Sequence, residues 1–175
     1  MTTPKPVDEH APRAARSSSN GAGGLIQLFT LGYEGLTPDR YFDIMQAAGA
    51  ATLVDVRRTP QSRKPGLSKR RLSEAAPTRG LRYVHMVDLG TPRDILYSYR
   101  ADHDHPQFLR RFAEYLNTQE AAVRELAALA EREPCCLMCV EADIKLCHRR
   151  IVAERVQQLI GRERCEVVHL SDQRD

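Results

Sequence analysis

Five short apolar runs, rich in β-branched and aromatic residues, alternate with amphipathic helical patterns. This alternation constrains the fold more than any other feature of the chain. The runs are residues 25–31 (LIQLFTL), 52–56 (TLVDV), 81–85 (LRYVH), 134–140 (PCCLMCV) and 165–170 (CEVVHL). They have the length and character of strands. Residues 38–48 place Tyr41, Phe42, Ile44, Met45 and Ala48 on one helical face, with Thr37 positioned to cap and Pro38 to start the helix. Residues 68–79 read as a helix opened by Ser68. Residues 106–131 carry Phe108, Leu109, Phe112, Tyr115 and Leu116, then Val123, Leu126 and Leu129, with a break at Asn117–Thr118. Residues 147–160 repeat the pattern through Ile151, Val152, Val156 and Ile160, and Gly161 ends it. The order β-α-β-α-β-α-β-α-β predicts an α/β fold: one compact three-layer domain around a mostly parallel, Rossmann-like sheet of about five strands.

The domain is expected to span residues 25–170 of the 175. Residues 1–24 lack Ile, Leu, Phe and Tyr and are rich in Pro, Ser, Gly and Ala, a composition that cannot offset its ordering entropy by burial. They are expected to form a disordered tail, with residues 171–175 as a short one. No stretch reaches the roughly 18–20 apolar residues of a membrane span, and the N-terminus has no signal-like apolar segment. Five cysteines, an odd number outside any disulfide framework, fit a reducing compartment. The expected location is the cytoplasm.

In a parallel sheet, ligands bind beyond the carboxyl ends of the strands. Those ends carry Gly32-Tyr33-Glu34-Gly35, Asp55-Val56-Arg57, Tyr83-Val84-His85 and Cys139-Val140-Glu141, and a short loop then delivers Cys147-His148-Arg149 to a helix start. Carboxylates, imidazoles, a thiol and guanidiniums converge on one edge. The net charge of +3 hides a further asymmetry, because residues 57–82 hold nine basic side chains against Glu74 alone. The first half of that +8 block, RRTPQSRKPG, is a loop at the same edge leading into a helix N-terminus, a combination suited to an anion. The second half reads as a solvated helix face.

Several chemistries are disfavoured. Cys136 and Cys139 form a CxxC, but inside a strand they fall on opposite faces; Cys135, Cys136 and Cys165 read as core residues. No Walker loop, nucleophile elbow or dinucleotide fingerprint occurs in the right context. The phosphatase spacing fails, since Ala153 stands where its arginine belongs. His103 and His105 read as part of a polar cap before Pro106 rather than metal ligands, so no metal site is assigned and no cofactor is specified. Cys147, near a helix N-terminus, reads either as a thiol favoured as thiolate or as a helix-capping cysteine packed on the sheet.

The blocks GYEG, DVR followed by SRKPG and SK, LRYVH, and CVE followed by CHR resemble, in order and spacing from about Leu25 to Leu170, the domain-of-unknown-function family 488, in a GYEG-type subgroup. The resemblance implies a compact α/β domain whose polar pocket is built from Gly32, Tyr33, Glu34, Asp55, Arg57, Ser62, Arg63, Lys64, Pro65, Gly66, Tyr83, His85, Leu89, Gly90, Cys139, Glu141, Cys147, His148 and Arg149. The expected function is binding of an anionic ligand, a nucleotide or nucleic acid, with or without catalysis on it. Arg57, Arg63, Lys64 and Arg149 would hold phosphate, and Gly32, Tyr33, Glu34, Ser62 and His85 would complete the binding residues. Asp55 and Glu141 would act as acid–base or acceptor groups, with Cys147 or His148 as the reactive or orienting group. Two rival readings are a non-catalytic nucleic-acid-binding or regulatory module and sulfur-transfer chemistry at Cys147.

Overall fold

A computed structural model describes residues 24–172. Residues 1–23, nearly all of the expected N-terminal tail, and residues 173–175 lie outside the described residues. The strands are β1 (Ile26–Gly32), β2 (Thr52–Asp55), β3 (Arg82–His85), β4 (Cys135–Cys139) and β5 (Cys165–His169). All pairings are parallel, in the order β3-β2-β4-β1-β5. The helices are α1 (Pro38–Ala47), α2 (Lys69–Thr78), α3 (Arg93–Asp102), α4 (His105–Asn117), α5 (Glu120–Arg132) and α6 (Arg149–Ile160).

Strand order fixes which helices cover which face. The chain moves toward the β3 edge through β1, β2 and β3, then reverses and moves toward β5. With right-handed crossovers, that reversal sends α1 and α2 to one face and the later helices to the other. The packing agrees. Tyr41, Phe42, Ile44 and Met45 of α1 and Leu72 and Ala76 of α2 form one core with Phe29, Leu31, Leu53, Cys136 and Met138. Phe112, Leu116, Leu126, Val152 and Val156 form the other, with Leu28, Val54, Cys135 and Leu137. Alternate residues of each central strand enter opposite cores, which is why these strands read as continuous apolar runs.

Local signals place the ends. Thr37 caps α1, its hydroxyl accepting from the Arg40 amide at 3.2 Å, and Pro38 occupies the first turn. Ser68 stands at the start of α2 in extended geometry, but its hydroxyl makes no capping hydrogen bond. The expected break at 117–118 separates α4 from α5. The helix α3 is an addition to the sequence reading: it buries only Ile95, too thin an apolar stripe to stand out by periodicity. His103 closes α3 in a left-handed conformation, and Asp104 caps α4 by accepting from the Gln107 amide at 2.8 Å.

The turn after β1 holds the two central strands in contact. The amides of Tyr33 and Glu34 donate to the Cys139 and Val140 carbonyls at 3.1 and 2.9 Å, and Gly35 turns the chain at φ 78°. Gly32 meets the loop after β4 so closely that a Cβ there would lie 1.8 Å from the Glu141 carbonyl oxygen. Gly32→Ala should therefore push two strand ends apart and cost about 3 kcal/mol, a typical penalty for severe overpacking, read as a lower urea midpoint with an unchanged slope.

Candidate functional site

Topology predicts the position of the site. From β2 the chain continues toward β3, whereas from its neighbour β4 it continues toward β5, so the loops after these adjacent strands diverge and leave a crevice. A cleft of about 560 Å³ opens there. Arg57, Arg58, Thr59 and Gln61 line it from the end of β2, and Cys139, Val140 and Glu141 from the end of β4. Arg93, Leu96, Tyr97 and Arg100 of α3 form a wall, joined by Thr91, Phe108 and His148.

On the α1–α2 side, Asp55 and Arg57 form an ion pair in which Asp55 is 0% and Arg57 5% exposed. Arg57 donates to one carboxylate oxygen through Nε at 2.8 Å and to the other through Nη2 at 2.5 Å, and its amide adds a third bond at 3.1 Å. Its Nη1 donates to the Leu67 carbonyl at 3.0 Å and the Tyr33 hydroxyl at 3.4 Å, with the guanidinium 5.3 Å from the Tyr33 ring centre. Tyr83 donates its hydroxyl to Asp55 at 2.8 Å, and His85 donates from Nε2 to the Arg57 carbonyl at 2.8 Å. Burial opposes the charge on Arg57, but bonding to Asp55 outweighs it and holds the guanidinium above its ordinary pKa. Burial and the Asp55 charge both raise Tyr83.

The second polar group lies on the α4–α6 side. His148 packs its ring against Phe112, with centroids 4.8 Å apart, and its Nε2 lies 3.1 Å from the Val56 carbonyl. A carbonyl only accepts, so Nε2 carries hydrogen and Nδ1 faces the Cys139 sulfur at 3.7 Å. The Cys139 thiol donates to Glu141 Oε2 at 3.2 Å. Cys139, Cys147 and His148 place one ligand atom each within 4.8 Å of the others. Burial would raise the Glu141 carboxyl, but hydrogen bonding from Cys147, the nearby His148 and the Cys139 thiol together hold it below its ordinary value. For His148 burial works against protonation, and Cys147, Glu141 and the Val56 carbonyl reverse the balance and raise it.

Of the residues singled out from sequence, Arg57, Cys139, Glu141 and His148 line the cleft. Asp55 stands behind Arg57, and His85 holds the backbone of the same loop. Gly32, Tyr33 and Glu34 organise the strand ends; Glu34 Oε2 accepts from the Ala142 amide at 3.1 Å. Arg149, 1% exposed, donates to the Glu141 and Ala142 carbonyls at 2.5 and 3.3 Å and so braces the loop after β4. Ser62 accepts from the Lys64 amide at 3.1 Å, and Ser62, Arg63 and Lys64 lie outside the cleft lining. Cys147 differs from the thiolate expectation: it lies before α6 rather than in it, is fully buried, and burial pushes its thiol well above the ordinary value. His105 meets the Lys145 carbonyl at 3.1 Å and packs against Tyr99 and Phe108.

Part of the basic block is paired within the fold. Arg79 pairs with Asp39 and Asp43, Arg82 with Glu133, Arg70 and Arg71 with Glu74, and Arg58 approaches Asp88 at 3.9 Å. The cationic wall comes instead from Arg93 and Arg100, which sequence reading missed. Their spacing of seven on a helix that starts just after Gly90-Thr91 was the available signal.

Asp55→Asn keeps the shape of the pair but leaves Arg57 charged, buried and without its counter-ion. It should cost about 3–5 kcal/mol of unfolding free energy, whereas Tyr33→Phe, which loses only the long bond, should cost about 1 kcal/mol or less. Equilibrium denaturation of both variants checks the ratio.

No curated protein and no solved structure matches this chain. A family model described as "Domain of unknown function DUF488" matches residues 37–156, from the cap of α1 into α6, and so includes both loops that form the cleft. With more than half of its length matched, the chain belongs to the DUF488 family.

Proposed function

We propose that the cleft between β2 and β4 binds a small phosphate-bearing ligand with an apolar or aromatic portion, a nucleotide being the class that fits. One observation carries this reading: Arg57, Arg58, Arg93 and Arg100 line the cleft, with Glu141 as the one carboxylate in its lining. Arg57 is committed to Asp55 and sets geometry. Arg58 lines the cleft while its Nη1 donates to the Tyr115 hydroxyl at 2.9 Å and stands 3.9 Å from Asp88. Arg93 and Arg100 line the cleft from α3 as exposed side chains, so a phosphate entering it meets forked guanidinium donors. Leu96, Tyr97 and Phe108 offer an apolar surface beside these cations, and the cleft's size is that of small-molecule sites.

A small ligand is favoured over an extended nucleic-acid strand because the cleft gathers its arginines in a concavity of small-molecule size, whereas Arg70, Arg71, Arg79 and Arg82 lie outside its lining. In this reading the chain is of the GYEG type, and Tyr33-Glu34 acts by fixing the floor rather than by touching ligand. Any reaction on the bound ligand falls to the floor groups Cys139, Glu141 and His148.

Calorimetric titration with nucleoside mono- and diphosphates, inorganic phosphate and a single-stranded oligonucleotide tests the proposal. Arg93→Ala and Arg100→Ala should each weaken nucleotide binding by about tenfold or more, the worth of a charged hydrogen bond of about 1.5–3 kcal/mol. Arg63→Ala with Lys64→Ala should leave it unchanged. Failure of every nucleotide to bind, or affinity indifferent to Arg93 and Arg100, overturns the reading. Tighter binding of the oligonucleotide, with a steep salt dependence, would favour the nucleic-acid module instead.

A further inference from the structure

The five cysteines divide into two kinds. Cys135, Cys136 and Cys165 sit inside the two apolar cores among hydrocarbon side chains. Cys139 and Cys147 belong to neither core. Both are buried, yet their neighbours are an imidazole, a carboxylate and each other. Core packing accounts for the first three and leaves this pair unexplained.

We propose that Cys139, Cys147 and His148 form a binding site for a thiophilic divalent cation of the zinc class at the floor of the cleft. The donor set is right: two sulfurs and one imidazole nitrogen select zinc-like ions over magnesium or calcium. So is the spacing. Tetrahedral bonds of about 2.3 Å to sulfur and 2.0 Å to nitrogen put ligand atoms roughly 3.5–3.8 Å apart. The Cys139 sulfur and His148 Nδ1 already stand 3.7 Å apart, and the three ligand atoms lie within 4.8 Å of one another. Closing the set therefore requires side-chain adjustment, not backbone rearrangement. The Val56 carbonyl at Nε2 completes the pattern, because a metal-bound histidine commonly donates its other ring N–H to a carbonyl, which fixes the ring with its free nitrogen toward the ion.

The fold supplies these ligands from separate places. Cys139 ends β4, while Cys147 and His148 follow a 3₁₀ turn at Ile144–Leu146 that brings the chain back over the strand end. Arg149 anchors that return to the Glu141 and Ala142 carbonyls. On binding, each thiol gives its proton to solvent and the neutral imidazole donates its lone pair, so two thiolates balance the dication. Cys139 and His148 also line the cleft.

The full chain, reduced and stripped with a chelator, is titrated with cobalt(II) and then zinc(II). The expected result is one cobalt per chain, an intense sulfur-to-cobalt charge-transfer band, and its loss when zinc displaces cobalt. Cys139→Ser and Cys147→Ser should each abolish the band, with Cys135→Ser and Cys165→Ser retaining it. Zinc-edge X-ray absorption of the wild-type protein, which needs no variant, should report two sulfur ligands. Absence of the band in folded wild-type protein, its survival in both Cys139→Ser and Cys147→Ser, or a first shell without sulfur overturns the proposal. The titration uses the metal alone, so its outcome is independent of whether nucleotides bind.

Discussion

The Asp55–Arg57 ion pair is the interaction on which the strand-end architecture rests. Two residues apart on the end of β2, the partners form a pair that local geometry alone brings together, and the rest of the edge is built on it. Through Nη1, Arg57 reaches the Leu67 carbonyl and so closes the loop that leads to α2; through its own carbonyl it receives His85 from β3. Tyr83 completes Asp55 from the same strand as His85. Taking two charges out of water is expensive, and a buried pair is weak evidence for net stability. Its contribution here is directional. An arrangement of β3 or the 57–67 loop that withdrew Tyr83 or the Leu67 carbonyl would leave the buried pair short of hydrogen bonds, and that penalty favours this one.

The cleft follows from topology as much as from side chains. Reversing direction once, between β3 and β4, makes the loops after β2 and β4 diverge, and it assigns the two polar groups to opposite sides of the sheet. Asp55 and Arg57 share the parity of Leu53 and face the α1–α2 layer, while Cys139 shares the parity of Cys135 and Leu137 and faces α4–α6. They meet only at the strand ends. The Val56 carbonyl, one residue from each member of the ion pair, is also the acceptor that orients His148. The backbone of β2 thus positions both halves of the site.

Much of this was legible in sequence, for identifiable reasons. Strands buried on both faces announce themselves as apolar runs, Thr37-Pro38 announces a helix start, and strand ends are where polar residues gather. What sequence does not carry is pairing across long separations. Asp39, Asp43 and Glu133 lie outside the 57–82 block in sequence, yet they pair with Arg79 and Arg82 inside it. Arg93 and Arg100 were overlooked because α3 buries almost nothing and leaves no periodic trace. Which of the two readings of Cys147 holds depends on the chain's return over the end of β4, which follows a 3₁₀ turn without a strong sequence signature and leaves the thiol buried.

The same contrast bears on how the polar sequence blocks of this chain should be interpreted. Asp55, Arg57, Gly32, Glu34 and Arg149 all belong to recognisable blocks, yet their contacts are with the protein itself. Gly32 makes room for the Glu141 carbonyl, Arg149 holds that carbonyl, and Glu34 holds the next amide. These residues define where the loop after β4 runs, and that path decides whether Cys139, Cys147 and His148 come together. Charged residues at a strand edge therefore divide into those that shape the edge and those that stand exposed in the cleft. Burial separates the two classes where residue type cannot: Arg57 and Arg149 are enclosed by their partners, whereas Arg58, Arg93 and Arg100 are exposed in the cleft lining.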